Sequence, residues 1–243
     1  MSYSVEVVEV AGSPMPVLLF RPPSEAAGAE PLPGVLVAQH LPVAHAGLEG
    51  DPFTIDVGER FAAAGYLCAI PWLFHWWPAE AEMSVKREAF RDDRLVEDLR
   101  AAGALLAGQQ EVDGGRIAIV GHCWGGRVAL VGACHDLGYK AAVMLYGGRI
   151  KAGLGPGARA PIEMVERIRC PVLGIFGNDD ENPSPADVDA LGAALTAAGV
   201  SHVFQRYDGA GHGFQDFTNR ERYRPTQSAE AWDRIMAFLA RSL

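Results

Sequence analysis

Apolar and polar residues follow one another in blocks along this chain, and the length of each block separates strands from helices. Tyr3–Val10 and Met15–Arg21 flank Ala11-Gly12-Ser13-Pro14, the pattern of two antiparallel strands in a hairpin. A Pro-, Ala-, Gly- and Glu-rich surface loop follows at Pro22–Pro33. Short strand-like runs then recur at Gly34–Gln39, Leu67–Ile70, Ile117–Val120, Lys140–Tyr146, Pro171–Phe176 and His202–Tyr207. An apolar run without polar alternation, such as Gly34–Gln39, belongs to a strand buried on both faces. Helical spacing marks Thr54–Ala64, closed by Gly65, and one long helix over Val85–Leu106. Further helices are expected after Cys123, briefly at Ile162–Ile168, over Ala186–Ala198 before Gly199, and as an amphipathic closing segment at Thr226–Leu243. His40–Phe53, the aromatic-rich Trp72–Pro78, the turn Asp113-Gly114-Gly115 and the glycine-rich Gly147–Gly157 read as loops. Strand and helix alternate from residue 34 onward. This predicts an α/β fold with a mostly parallel sheet, an N-terminal antiparallel hairpin and helices on both faces. No repeat or linker interrupts residues 1–243, so one domain is expected.

Composition narrows the function. At 243 residues, 49% hydrophobic and 21% charged, the chain has ample material for a core. A formal charge of −9 without any basic patch argues against nucleic acid and anionic membrane surfaces as partners. The start Met1-Ser2-Tyr3-Ser4-Val5-Glu6 has neither the basic nor the apolar region of a signal peptide, and no apolar run approaches the roughly 20 residues of a membrane span. Cys68, Cys123, Cys134 and Cys170 are scattered without a Cys-x-x-Cys pair. That spacing suggests neither a disulfide framework nor zinc and fits a reducing cytoplasm. His40, His45 and His75 match no standard ligand pattern, so no metal is expected.

The candidate chemistry centres on Ile117-Ala-Ile-Val-Gly-His-Cys123-Trp-Gly-Gly-Arg-Val-Ala-Leu130. Four β-formers run into Gly-x-Cys-x-Gly-Gly, and a helix-forming apolar run follows. This is a nucleophile elbow with cysteine in place of the usual serine. A side chain on such a sharp strand-to-helix turn needs small neighbours two residues away on either side, here Gly121 and Gly125. The thiol then stands at a helix N-terminus, where the dipole favours thiolate, and the amide of Trp124 can donate to an oxyanion. In a parallel sheet, ligands bind beyond the carboxyl ends of the strands. That rule selects Asp180 after one strand and His212, in Gly211-His-Gly213, after the last. Nucleophile, acid and histidine thus occur in the order of a Ser-Asp-His hydrolase. Asp179 is the alternative acid; Asp180 is preferred because it lies three residues past the strand-ending Gly177. Trp72, Phe74, Trp76 and Trp77 follow a strand on the same side of the sheet, where aromatics line a pocket or pack beneath a loop.

Val37-Ala-Gln39, Gly121-His-Cys-Trp-Gly-Gly126, Gly177-Asn-Asp-Asp180 and Gly209-Ala-Gly-His-Gly-Phe214 together resemble the dienelactone hydrolase family of α/β-hydrolases over nearly the whole length. The resemblance implies the α/β-hydrolase fold and a cofactor-free hydrolase of small carboxylic esters or lactones, using a Cys123-His212-Asp180 triad. It also implies a second oxyanion donor, the amide of Leu41. His40, Trp72, Phe74, Trp76, Arg87 and Phe214 are the candidates for binding substrate, in a monomer or small homo-oligomer. Two positions depart from the family's pattern. Its members that open dienelactone look to have glutamate where this chain has His40, and an arginine where it has Asp216. These exchanges predict a thiol that ionises more readily, and a preference for uncharged esters over carboxylate-bearing ones. Arg87, Arg91, Arg220 and Arg222 remain candidates for a carboxylate clamp. Thioester cleavage or acyl transfer on the same fold, and a non-catalytic ligand sensor, remain the alternatives.

Overall fold

A computed structural model of the protein describes residues 3–23, 30–78 and 80–243. Part of the expected Pro22–Pro33 loop therefore lies outside the described residues. Strands β1 (Tyr3–Val10) and β2 (Ser13–Phe20) form the hairpin, turning through Ala11 and Gly12 at φ 46° and 81°. Two successive left-handed residues are what the tightest hairpin turn demands. The remaining strands are β3 (Leu32–Ala38), β4 (Leu67–Pro71), β5 (Val112–His122), β6 (Ala141–Leu145), β7 (Val172–Gly177) and β8 (His202–Tyr207). All eight join one sheet in the order β1-β2-β4-β3-β5-β6-β7-β8. β1, β2 and β4 pair antiparallel, and every pairing from β4 through β8 is parallel. Asp113-Gly114-Gly115, expected as a turn before the strand, lies within β5, where the register with β3 shifts between Leu32 and Gly34.

The period of two along the central strands divides the core. Leu36, Ala38, Ile117 and Ile119 point to one face, and Val35, Val37, Ala118 and Val120 to the other. Both sets are buried, which is why these strands read as unbroken apolar runs. Helices α2 (Pro52–Ala63) and α7 (Pro225–Ser242) cover the second face with Phe53, Val57, Phe61, Trp232, Ile235 and Leu239. Helices α4 (Asp92–Ala107), α5 (Trp124–Cys134) and α6 (Pro185–Ala197) cover the first with residues such as Leu99, Val128 and Leu191. Gly65 and Gly199 take φ of 90° and 69° just past α2 and α6, the conformation that ends a helix most easily.

Three elements differ from the sequence pattern. A short helix α1 (Val43–Ala46) interrupts the loop expected at His40–Phe53. The segment Ile162–Ile168 holds two single 3₁₀ turns, Pro161–Glu163 and Val165–Arg167, instead of one helix. The long helix expected over Val85–Leu106 is broken into α3 (Met83–Glu88) and α4, with Arg91 extended at φ −134° and ψ 127°. The break has a tertiary cause. The amide of Asp92 donates to Leu154 O at 2.8 Å, and its carboxylate holds the buried guanidinium of Arg127. Among the described residues no helix is long and apolar enough to cross a membrane.

Candidate active site

β5 ends at His122, and Cys123 turns the chain into α5 with φ 56° and ψ −123°. For a residue with a side chain this backbone is strained, at a cost of order 1–3 kcal/mol. Its neighbours show why glycine is required. A Cβ on Gly121 would stand 1.9 Å from Gly125 O, and one on Gly125 would stand 2.0 Å from Ala38 O. The turn is held by Cys123 N donating to Leu145 O at 3.0 Å and by Gly126 N donating to Cys123 O at 2.9 Å. β3 and the elbow thus touch backbone to backbone.

The fold brings Cys123, His212 and Asp180 together from the ends of β5, β8 and β7. His212 Nε2 lies 3.0 Å from Cys123 Sγ, and His212 Nδ1 donates to Asp180 Oδ2 at 2.9 Å. Asp180 is buried, and its other oxygen accepts from Asn182 N at 2.8 Å, which fixes the carboxylate plane. Asp179 is exposed, and its amide donates to Ala210 O. Burial would push the Cys123 thiol upward. The hydrogen bond and charge of His212, with the amides of Leu41 and Trp124, outweigh it and hold the thiol below its ordinary value. Burial likewise works to lower His212, yet its bonds to Asp180 and Cys123 raise it to about 10. Both directions favour the same pairing, a thiolate facing an imidazolium. Cys134 and Cys170 are instead pushed up by burial to about 12 and about 11, and Cys68 higher still.

A cavity of about 620 Å³ opens over the thiol. Of the candidate substrate residues, His40 and Arg87 line it, as do Leu41 and Trp124. Trp72, Phe74, Trp76 and Phe214 do not reach it. Phe74 is fully buried and stacks on the indole of Trp124 at 5.1 Å, so the aromatic loop packs behind the elbow. Trp72 packs edge-on against Phe74. Trp76 donates to Asp98 Oδ2 at 3.0 Å beneath the guanidinium of Arg94. Phe214 is fully buried against Tyr146 and Tyr207. A Gly-His-Gly-Phe turn carries its histidine to the site only by anchoring the next side chain in the core.

His40 is buried, and its Nε2 donates to Asp51 Oδ2 at 2.6 Å; the same oxygen caps α2 by accepting from Thr54 N. Burial favours neutral Asp51, but His40 and the Thr54 amide hold its carboxyl below the usual value. The ring of His40 is thus spent on Asp51. The groups that lower the thiol are His212 and the amides of Leu41 and Trp124.

The cavity wall also includes Phe90, Arg127, Tyr146, Arg149, Asn182, Asp216 and Arg222. Arg127 is neutralised by Asp92 at 2.6 and 3.0 Å and donates to Arg149 O and Ala152 O. Its one sequence signal was a lone charge in the apolar start of α5. Tyr146 follows β6 at its carboxyl end, where the rule that selected Asp180 and His212 would also have selected it. Of the other arginines weighed as clamps, Arg91 pairs with Asp93 at an exposed site. Among the described residues, no group of three or more His, Cys, Asp or Glu could hold a metal ion.

A thiol on a strained strand-to-helix turn, with a carboxylate and a histidine carried by later strand ends of the same sheet, is the arrangement of an α/β-hydrolase. The chain belongs to the dienelactone hydrolase family, whose model matches residues 15–243. As a member it is a hydrolase of ester or lactone bonds. A protein of Methylorubrum extorquens assigned as a carboxymethylenebutenolidase is 30% identical over 213 residues, 84% of this chain and 70% of that protein. One of Escherichia coli K12 with the same assignment is 28% identical over 93% of this chain and 82% of its own length. Among solved structures, a protein of Klebsiella pneumoniae assigned as a dienelactone hydrolase superposes with a TM-score of 0.85 at 25% identity, covering 99% of both chains.

Proposed function

We propose that the chain hydrolyses small carboxylic esters or lactones through a thioester on Cys123. The observation that carries this reading is the single relay in which His212 faces Sγ with one nitrogen and Asp180 with the other. The Cys123 thiolate attacks the carbonyl carbon, and the oxygen's growing charge falls to the amides of Leu41 and Trp124. His212 gives its proton to the departing alkoxide as the C–O bond breaks. Acylation removes the sulfur's charge and its bond to His212, two of the causes that raise the imidazole. With its pKa lowered, the ring stays neutral once its proton has gone to the alcohol, and can then take one from water, which attacks the thioester and frees the acid. Asp180 holds the tautomer and stabilises each imidazolium.

Charge on the wall bears on substrate choice. Asp216 faces the cavity, but so do Arg87, Arg149 and Arg222, and none of these three makes an ion pair with a described carboxylate. The preference for uncharged esters expected from Asp216 weighed one charge alone. With positive groups in excess, the reading extends to esters and lactones whose acyl part bears a carboxylate, as in the butenolide named for the bacterial relatives. The test is Cys123→Ala against p-nitrophenyl acetate and dienelactone, with mass spectrometry of the quenched wild type. Loss of both activities, and an acyl adduct on Cys123, are expected. Full activity in the alanine variant overturns the triad.

A further inference from the structure

Among the described residues, five other than glycine have a left-handed φ: Ala11, Cys123, Asp136, Tyr146 and Arg149. Ala11 and Asp136 sit in turns, whereas the other three line one cavity. Tyr146 is the bulkiest, at φ 39°, and a large side chain there is a conformational outlier that its surroundings must enforce. Tyr146 N donates to Ile175 O at 2.8 Å on β7, which holds the residue after β6 has ended. Gly147 then passes so near the elbow helix that a Cβ would stand 2.5 Å from Arg127 N. These constraints place the phenol ring over the elbow, edge to face with His212 at 5.4 Å and backed by Phe214 at 5.4 Å. The ring is 1% exposed and lines the cavity, and its hydroxyl makes no hydrogen bond to a described residue. The ring is held by the core while its hydroxyl opens to the cavity, so a donor not spent on the protein stands beside the thiol.

Topology says which use. β5, which carries Cys123, lies between β3 and β6. Leu41 follows β3 and, with Trp124, offers the amides for the carbonyl oxygen. Tyr146 follows β6 and sits on the other side, beside His212. Because His212 must protonate the departing oxygen, that oxygen faces His212 and the phenol together. We infer that Tyr146 is a further catalytic residue, donating a hydrogen bond to the leaving-group oxygen as it separates from the acyl carbon. The phenol keeps its proton. Burial, with the charges of Cys123, Asp216 and Asp180, holds it protonated well above the usual tyrosine range. The proton that ends on the alcohol comes from His212, and Tyr146 only stabilises the negative charge on the oxygen until it arrives. This inference rests on the thioester mechanism proposed above.

Tyr146→Phe tests it, since phenylalanine keeps the ring packing and removes only the donor. kcat/KM is measured on acetate esters whose leaving groups range from p-nitrophenol to ethanol. A stabilised alkoxide matters most where the leaving group is poorest. The variant should lose about tenfold or more on the ethyl ester and little on the nitrophenyl ester, steepening the dependence on leaving-group acidity. An unchanged profile, or an equal loss on every ester, overturns the inference, because a merely structural role moves all substrates alike. Cys123→Ala on the same series separates the two readings. If it stays fully active, the thioester mechanism falls. If it is inactive while Tyr146→Phe gives a flat loss or none, only the role of Tyr146 falls.

Discussion

Arg127→Met should destabilise the protein severely, although Arg127 is not in the Cys-His-Asp relay. The Arg127 side chain is 1% exposed and makes four hydrogen bonds: two to Asp92, one to Arg149 O and one to Ala152 O. Asp92 is also buried and takes Leu154 N at 2.9 Å. Methionine fills much of the volume but leaves a carboxylate in the core without its counterion. Breaking one side of a buried pair costs about 3–5 kcal/mol. For a chain of this size each kcal/mol lowers the melting midpoint by about 2–4 °C, so a fall of roughly 6–20 °C is expected. The double variant Arg127→Met/Asp92→Leu removes the stranded charge but still leaves Leu154 N, Arg149 O and Ala152 O short of partners. It should be more stable than the sum of the single losses predicts by about 1–3 kcal/mol. The assay is urea unfolding of wild type, both singles and the double. Additive losses, or a single variant that melts with wild type, would refute this account of the pair. The same lesion frees the loop that carries Arg149, so KM for a carboxylate-bearing ester should rise more than kcat falls.

Asp180→Asn should lower kcat by orders of magnitude through the wrong imidazole tautomer, whereas exposed Asp179→Asn should cost far less; steady-state rates reveal a reversal if the acid is misassigned. Iodoacetamide should label Cys123 ahead of Cys68, Cys134 and Cys170, with a midpoint below the ordinary thiol value, and His212→Asn should move that midpoint up because burial then prevails. Labelling followed by peptide mapping across pH checks this, and an unmoved midpoint would remove His212 as the cause. His40→Glu places a second carboxylate against Asp51, and one of the two must then take up a proton in the folded state. Its raised pKa makes stability fall as pH rises, whereas in wild type the lowered Asp51 makes stability fall as pH drops. Melting midpoints across the mildly acidic range should slope in opposite directions, and parallel slopes would contradict the His40–Asp51 pairing.

Local signals were legible in the chain because their causes are local. An unbroken apolar run such as Val35–Ala38 can be satisfied only between two helical layers, so the parallel sheet followed from pattern. Gly121 and Gly125 are demanded by backbone contacts made within a few residues of Cys123, and by β3 close behind it. The order Cys123, Asp180, His212 could be read because each follows a strand, and strand ends share one edge of a parallel sheet. What tertiary structure alone decided are the pairings between residues far apart. Asp92 meets Arg127 across 35 positions and so breaks a helix that periodicity made continuous. Asp51 meets His40 and ties that ring to the cap of α2. The aromatic loop packs behind Trp124, not over the thiol, because the direction of a loop depends on which core it can fill. Asp216 shares its cavity with Arg87, Arg149 and Arg222 from three separate segments, and with Arg127, which Asp92 neutralises. Charge and packing act through space, so the sequence names these groups without telling which of them touch.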